Sequence, residues 1–208
     1  AFDLGRKTPI AAALAAAFWP GPLTLILHRA DNCPIARLTS AGLDKIALRV
    51  PSHAGARDLL TAFGGAIAAP SANPSGRLSP SRAEHVMVLM DGQIDMILDG
   101  GACESGLEST IVDCTGEQAV LLRPGGVTRA ALSAALSSAG LDDTIIHSAP
   151  LNDGEAPISP GQLSSHYAPK NALRLNAQSP HDNEIFIGFG PSYPPSEDGY
   201  TLSPSGNL

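Results

Sequence analysis

Hydrophobic and polar positions along this chain switch between helical and alternating spacing, and the switches mark its elements. Residues Pro9 to Phe18 are apolar at helical spacing, with Thr8 placed to cap them, Pro9 at the first helical position and Pro20 as the stop. Residues 23–28 and 45–50 read as strands, the second carrying Arg49 just before Pro51. Leu59, Leu60 and Phe63 share one face of a helix over 54–63, which Gly64-Gly65 ends. A short apolar run at 66–69 reads as a buried strand, and a helix is expected over 80–90 with Ser79 as its cap and Pro80 at its first position. Strands are expected at 94–98, 109–113 and 119–122, the last two joined by a hairpin at Thr115-Gly116, followed by an alanine-rich helix over 128–138. Hairpin-linked strands interleaved with helices predict an α/β fold whose sheet is not purely parallel.

From about Ser148 the pattern lapses. Prolines at 150, 157, 160 and 169 and glycines at 154 and 161, without periodicity, predict a linker over 148–171 between a first domain at 1–147 and a second at 172–208. The last stretch offers two strand-like runs, 172–175 and 184–189. Two strands alone do not make a stable domain, so this part reads as the start of a second, small α/β domain that is cut short.

Composition narrows the class. With 43% hydrophobic and 16% charged residues the chain can bury a core and is not disordered, while 21 glycines and 18 prolines predict many short elements and loops. A net charge of −7 argues against non-specific attraction to nucleic acid. Cys33, Cys103 and Cys114 have neither metal-ligand spacing nor the form of a disulfide framework, which points to a reducing compartment. No apolar run reaches the roughly 18 residues of a membrane span, and the segment at 11–18 lacks the flanks of a signal peptide. A cytoplasmic protein is expected.

The richest candidate chemistry lies in Pro70-Ser-Ala-Asn-Pro-Ser-Gly-Arg-Leu-Ser-Pro-Ser81, a polar loop between an expected strand and an expected helix. Free backbone N–H groups and the helix dipole suit such a place to anions. Capping accounts for Ser79 and Pro80 but not for Ser71, Asn73 and Ser75. Arg49, at a strand end, is a surface arginine when read alone. Beside that loop, on the rim where open α/β sheets collect ligands, its charged fork suits a carboxylate. Glu108-Ser109-Thr110 reads equally as a polar strand start or as part of the same rim, and Arg123-Pro124-Gly125-Gly126 adds a second arginine beside approachable backbone. His28, His53 and His85 read as surface or capping histidines, whereas His166-Tyr167, in the linker, reads as an anchor or as a cover for a ligand. The sequence contains no nucleophile elbow, Walker A loop or dinucleotide fingerprint. The residues thus imply a rim of hydroxyls, amide and arginines for a ligand bearing phosphate and carboxylate, without naming the reaction.

These motifs, in order, resemble the YrdC-like family in its two-domain synthase form. The resemblance is carried by Phe18-Trp-Pro-Gly-Pro-Leu-Thr24, Ala47-Leu-Arg-Val-Pro51, the 70–76 loop and Ser79-Pro-Ser81. It continues through Gly106-Leu-Glu-Ser-Thr-Ile-Val-Asp113, Leu122-Arg-Pro-Gly125, Ser159-Pro-Gly161 and His166-Tyr-Ala-Pro169. It implies a twisted, open, mixed α/β sheet with helices and a basic groove, in a catalytic domain at 1–147. It also implies formation of threonylcarbamoyl-adenylate and pyrophosphate from L-threonine, bicarbonate and ATP, for the t6A base of tRNA. Mg²⁺ is expected with the ATP, and a downstream t6A transferase complex as a partner. Carried over by position, Arg49, Ser71 and Ser109 take threonine. Asn73, Ser81 and Arg123 take ATP, Tyr167 covers the nucleotide, and Lys45 stands where the family usually has a small hydroxyl residue that contacts it. The family's Pro-Thr-Glu-Thr-like segment and Lys-x-Arg-Pro motif have no counterpart before Trp19, so the chain is expected to be inactive alone. The competing readings are a module that binds RNA, including double-stranded RNA, and a carbamoyl-transfer domain of the hydrogenase-maturation type, against which the 166–169 segment speaks.

Overall fold

One threonine fixes how the chain enters its core. Thr8 accepts a hydrogen bond from the Ala11 N–H at 3.1 Å and donates one to the Cys114 carbonyl at 3.2 Å. It therefore caps helix α1 (Pro9–Phe18) and ties that helix to the sheet, with Pro9 in its first turn as expected. Ile10, Ala11, Leu14 and Ala15 form the buried face of α1. The computed structural model describes residues 1–148, 171–191, 199–203 and 205, divided into two compact units, Ala1–Ala168 and Pro169–Leu208. The expected linker over 148–171 lies almost wholly outside the described residues.

The first unit continues with β1 (Leu23–His28), a 3₁₀ turn at Arg37–Ser40, β2 (Lys45–Leu48), α2 (Ala54–Phe63) and α3 (Ala83–Met90). Then follow β3 (Thr110–Asp113), β4 (Ala119–Arg123), α4 (Arg129–Ser138) and β5 (Ile145–His147). The strands form one mixed sheet in the order β2-β1-β3-β4-β5, with β1 parallel to β3, β4 parallel to β5, and the other pairs antiparallel. Leu23, Leu25 and Leu27 alternate along β1 and are fully buried, packing with Leu14 of α1 and Leu132 and Leu136 of α4. Each such leucine contributes about 1.5–3 kcal/mol. By the twofold alternation of a strand, Thr24, Ile26 and His28 face the other side. No helix among the described residues is long and apolar enough to cross a membrane.

The second unit contributes β6 (Phe186–Gly188), parallel to β7 (Gly199–Thr201). Within it Arg174 pairs with Glu184 at 2.5 Å.

Several expectations are corrected. The runs at 66–69 and 94–98 are not strands and are exposed or nearly so, because three alanines and one isoleucine in the first offer little area to bury. No residue between Arg49 and Glu108 is fully buried. Helix α3 begins at Ala83, with Arg82 at its cap position, so Pro80 and Ser79 do not start it. Residues 172–175 are not a strand, and the 184–189 run shrinks to β6. The three-residue strands β5 and β7 escaped the sequence pattern because neither is long enough to show a period.

Candidate functional site

The antiparallel and parallel pairings bring the C-terminal ends of β2 and β4 to the same rim as the N-terminal ends of β1 and β3. Arg49 follows β2, Ser109 precedes β3, and Arg123 ends β4. The turn entering β1 is set by Gly21, where a Cβ would meet the Phe18 carbonyl oxygen at 2.2 Å. Gly21 donates its N–H to the Val50 carbonyl at 2.8 Å, and Arg49 Nε donates to the Gly21 carbonyl at 3.1 Å. The arginine is thus aimed from the strand end by backbone on both sides.

Arg123 is held more fully. Its Nε and Nη2 donate to the Ser109 carbonyl at 3.0 and 2.9 Å, and Nη2 also reaches Ser109 Oγ at 3.1 Å. Nη1 meets Glu108 Oε2 at 2.5 Å. The other oxygen of Glu108 accepts from Ser79 Oγ at 2.6 Å, so one carboxylate ties the 70–81 loop to the end of β4. Ser109 is buried, and its hydroxyl lies 2.8 Å from Thr24 Oγ1. Gly125 makes this approach feasible: a Cβ there would sit 2.3 Å from the Glu108 carbonyl oxygen and 2.5 Å from the Thr110 nitrogen.

Although Arg49 is exposed as a residue, desolvation of its guanidinium, and after it the like charge of Arg123, lower its pKa. It stays protonated at any physiological pH, but the second effect shows two cations sharing one neighbourhood. Among the described residues Glu108 pairs with Arg123, and no carboxylate pairs with Arg49. Such a site gains by admitting anions.

The other expected site residues divide. Ser71 is exposed at the start of its loop, and no hydrogen bond of its hydroxyl is seen among the described residues. Asn73 Nδ2 donates to the Pro74 and Arg77 carbonyls at 3.0 and 3.1 Å, folding the loop on itself, while its Oδ1 is buried with no hydrogen-bond partner among the described residues. Ser81 Oγ lies 3.5 Å from His85 Nδ1, at the entrance to α3. Lys45 is not brought to the rim: it starts β2 rather than ending it, and its Nζ pairs with Asp113 Oδ2 at 2.8 Å at the other end of the sheet. Tyr167 lies outside the described residues. His53 caps α2, its Nδ1 accepting from the Ala56 N–H at 3.3 Å, as the sequence suggested. Thr24 and Ser79 were not singled out for the rim. Thr24's one signal is a hydroxyl between leucines on a strand.

Among known proteins, the Sua5/YciO/YrdC family model, described as telomere recombination, matches residues 3–125. The chain belongs to the Sua5/YciO/YrdC family. A second family model, the C-terminal domain of threonylcarbamoyl-AMP synthase, matches residues 127–195. This family member is 44% identical over 163 residues to threonylcarbamoyl-AMP synthase of Bacillus subtilis (strain 168), covering 78% of this chain and 45% of that protein. It is 39% identical over 170 residues to the Pyrococcus abyssi (strain GE5 / Orsay) protein of the same name, covering 81% and 48%. Its fold is similar to that of P. abyssi Sua5 complexed with L-threonine, with a TM-score of 0.70 and 36% identity over 90% of this chain and 50% of that one. The crystal structure of E. coli YciO matches at a TM-score of 0.53 and 27% identity, over 59% of each chain. The chain thus spans about half the length of the curated relatives it matches.

Proposed function

We propose that this protein acts as a threonylcarbamoyl-AMP synthase, joining L-threonine, bicarbonate and ATP into threonylcarbamoyl-adenylate and pyrophosphate for tRNA modification. The observation that carries the reading is that the ends of β2 and β4 bring Arg49 and Arg123 to one rim, where Arg123 reaches the Ser109 hydroxyl at 3.1 Å. Two guanidiniums, one of them paired with Glu108, suit a ligand pair bearing a carboxylate and phosphates. The names of the relatives, and the threonine bound to P. abyssi Sua5, support this choice of ligands.

In this reading Arg49 takes the threonine carboxylate, with Ser109 and Ser71 as hydrogen-bonding neighbours. Arg123, Asn73 and Ser81 face the nucleotide. The threonine amine takes up CO₂ as a carbamate, whose oxygen attacks the α-phosphorus and displaces pyrophosphate. No side-chain nucleophile is required. The rim's contribution is alignment and charge stabilisation. Mg²⁺ would enter with the nucleotide in this scheme. Both oxygens of Glu108 are engaged by Arg123 and Ser79.

Calorimetric titration tests the assignment. Arg49→Ala is expected to weaken threonine binding by roughly 2–5 kcal/mol while leaving ATP binding nearly unchanged, as truncation of one member of a desolvated charge pair does. Any pyrophosphate released from ATP should require threonine and bicarbonate together. Unchanged threonine affinity in a folded Arg49→Ala protein would remove this arginine from the site.

A further inference from the structure

At the end of β1 remote from Arg49, the chain turns at Arg29 into a loop that leads to β2. With the segment preceding α1, this loop encloses a cavity of about 290 Å³, bordered by Arg6, Arg29, Asp31, Cys33, Arg37 and Asp44. Gly5 bridges Arg29 across this entrance, so the two stretches are held together by backbone. Arg29 is only 7% exposed. Its guanidinium donates to the Ile35 carbonyl and, at 3.2 Å, to Ser40 Oγ, both neutral acceptors. No carboxylate lies within 4.0 Å of it among the described residues.

A buried cation without a counter-charge is costly, and two neutral acceptors leave some of its five donors unused. The two carboxylates of the cavity do not relieve it. Asp31 is engaged by Arg6 at 2.6 Å and Asp44 by Arg37 at 3.7 Å. Both pairs are largely exposed, hence weakly held and easily redirected. The lining therefore carries an excess of one positive charge, with its most desolvated member uncompensated.

We infer that this cavity is an anion site, built to hold a small tetrahedral oxyanion of the phosphate class against Arg29, with Arg6 and Arg37 closing on it. Guanidinium forks match phosphate oxygens in pairs, which accounts for arginine rather than lysine at all three positions. The site lies apart from the Arg49–Arg123 rim and does not depend on the reading given to that rim.

The test is titration of the full chain with inorganic phosphate, at ionic strength held constant with sodium chloride, followed by calorimetry and by thermal unfolding. Saturable binding in the micromolar to low millimolar range is expected, with a rise in Tm that follows phosphate and not chloride. Arg29→Met should abolish binding, but it also removes the loop's hydrogen bonds and can unfold the segment. The deciding variant is therefore the exposed pair Arg6→Gln and Arg37→Gln, which should lower phosphate affinity at least tenfold with secondary structure unchanged. Absence of saturable binding by the native chain up to about 10 mM phosphate, or equal affinity in the double variant, overturns the assignment.

Discussion

A single carboxylate, Glu108, decides whether the arginine rim is a site or merely a charged edge. It neutralises the Arg123 guanidinium and anchors a loop through Ser79, while Arg49 is held by the Gly21 carbonyl and has no carboxylate partner among the described residues. Glu108→Gln keeps the shape and removes the charge. It should destabilise the fold by about 2 kcal/mol, the worth of a hydrogen bond to a charged group, as measured by urea unfolding. The sequence placed Glu108 beside the rim but assigned it no task, because its partners are 29 and 15 residues away along the chain. Asp113 is the counterpart at the far end of the sheet. Burial raises its pKa, but hydrogen bonds from Lys45 and Thr115 outweigh that and bring it below the usual value. A carboxyl that binds its proton less tightly when folded stabilises fully above the unfolded pKa of about 3.9 and loses that contribution as pH falls through its lower folded value. Acid unfolding should therefore show the native chain losing stability relative to Asp113→Asn below about pH 4, and no such convergence would contradict the pair. Lys45 was read toward the nucleotide because its position in the family pattern outweighed a partner, Asp113, 68 residues away.

Elements were legible where their period was long and their ends were chemically marked. Helix α1 has a threonine cap, a first-turn proline and a ten-residue apolar pattern, and it appears with the expected bounds. Helix α2 ends at Gly64, whose φ of 71° is the left-handed conformation that the Gly-Gly pair advertised. Short apolar runs misled, since four residues at 66–69 read the same in a strand or a coil, and only a neighbour's free edge could decide. At this scale the close approach of β4's exit to β3's entrance is the most exacting feature. Gly125→Ala would place a methyl group 2.3 Å from a carbonyl oxygen, with backbone and not a flexible side chain in the way. A loss of about 1–3 kcal/mol is expected, with the amide resonances of residues 108–110 shifted most.

Across the whole molecule, stability and chemistry are unevenly shared. The packed core runs through α1, the five-stranded sheet and α4, while α2 and α3 bury no residue. Yet the 70–81 loop, the richest polar stretch, sits in that unburied span and reaches the rim by way of Ser79 and Glu108. Sequence reasoning found the loop by its composition. It could not find the unevenness, because burial depends on which faces meet.

That unevenness bears on chain continuity. The two halves of the rim are separated by 85 residues between Thr24 and Ser109, and their union rests on the parallel pairing of β1 with β3 and on α1 against α4. The peptide from residue 50 to residue 107 adds no buried residue to that core. Severing it at the exposed turn near Gly92 should yield two polypeptides, one holding Arg49 and the other Arg123, that find each other without a covalent bond. Co-expressed as 1–91 and 92–208 with a tag on one part, they are expected to co-purify in equal amounts, and recovery of the tagged part alone would show that the tether matters. The first unit would then be two complementary pieces joined along the β1–β3 pairing, with the arginine rim at one end of that seam.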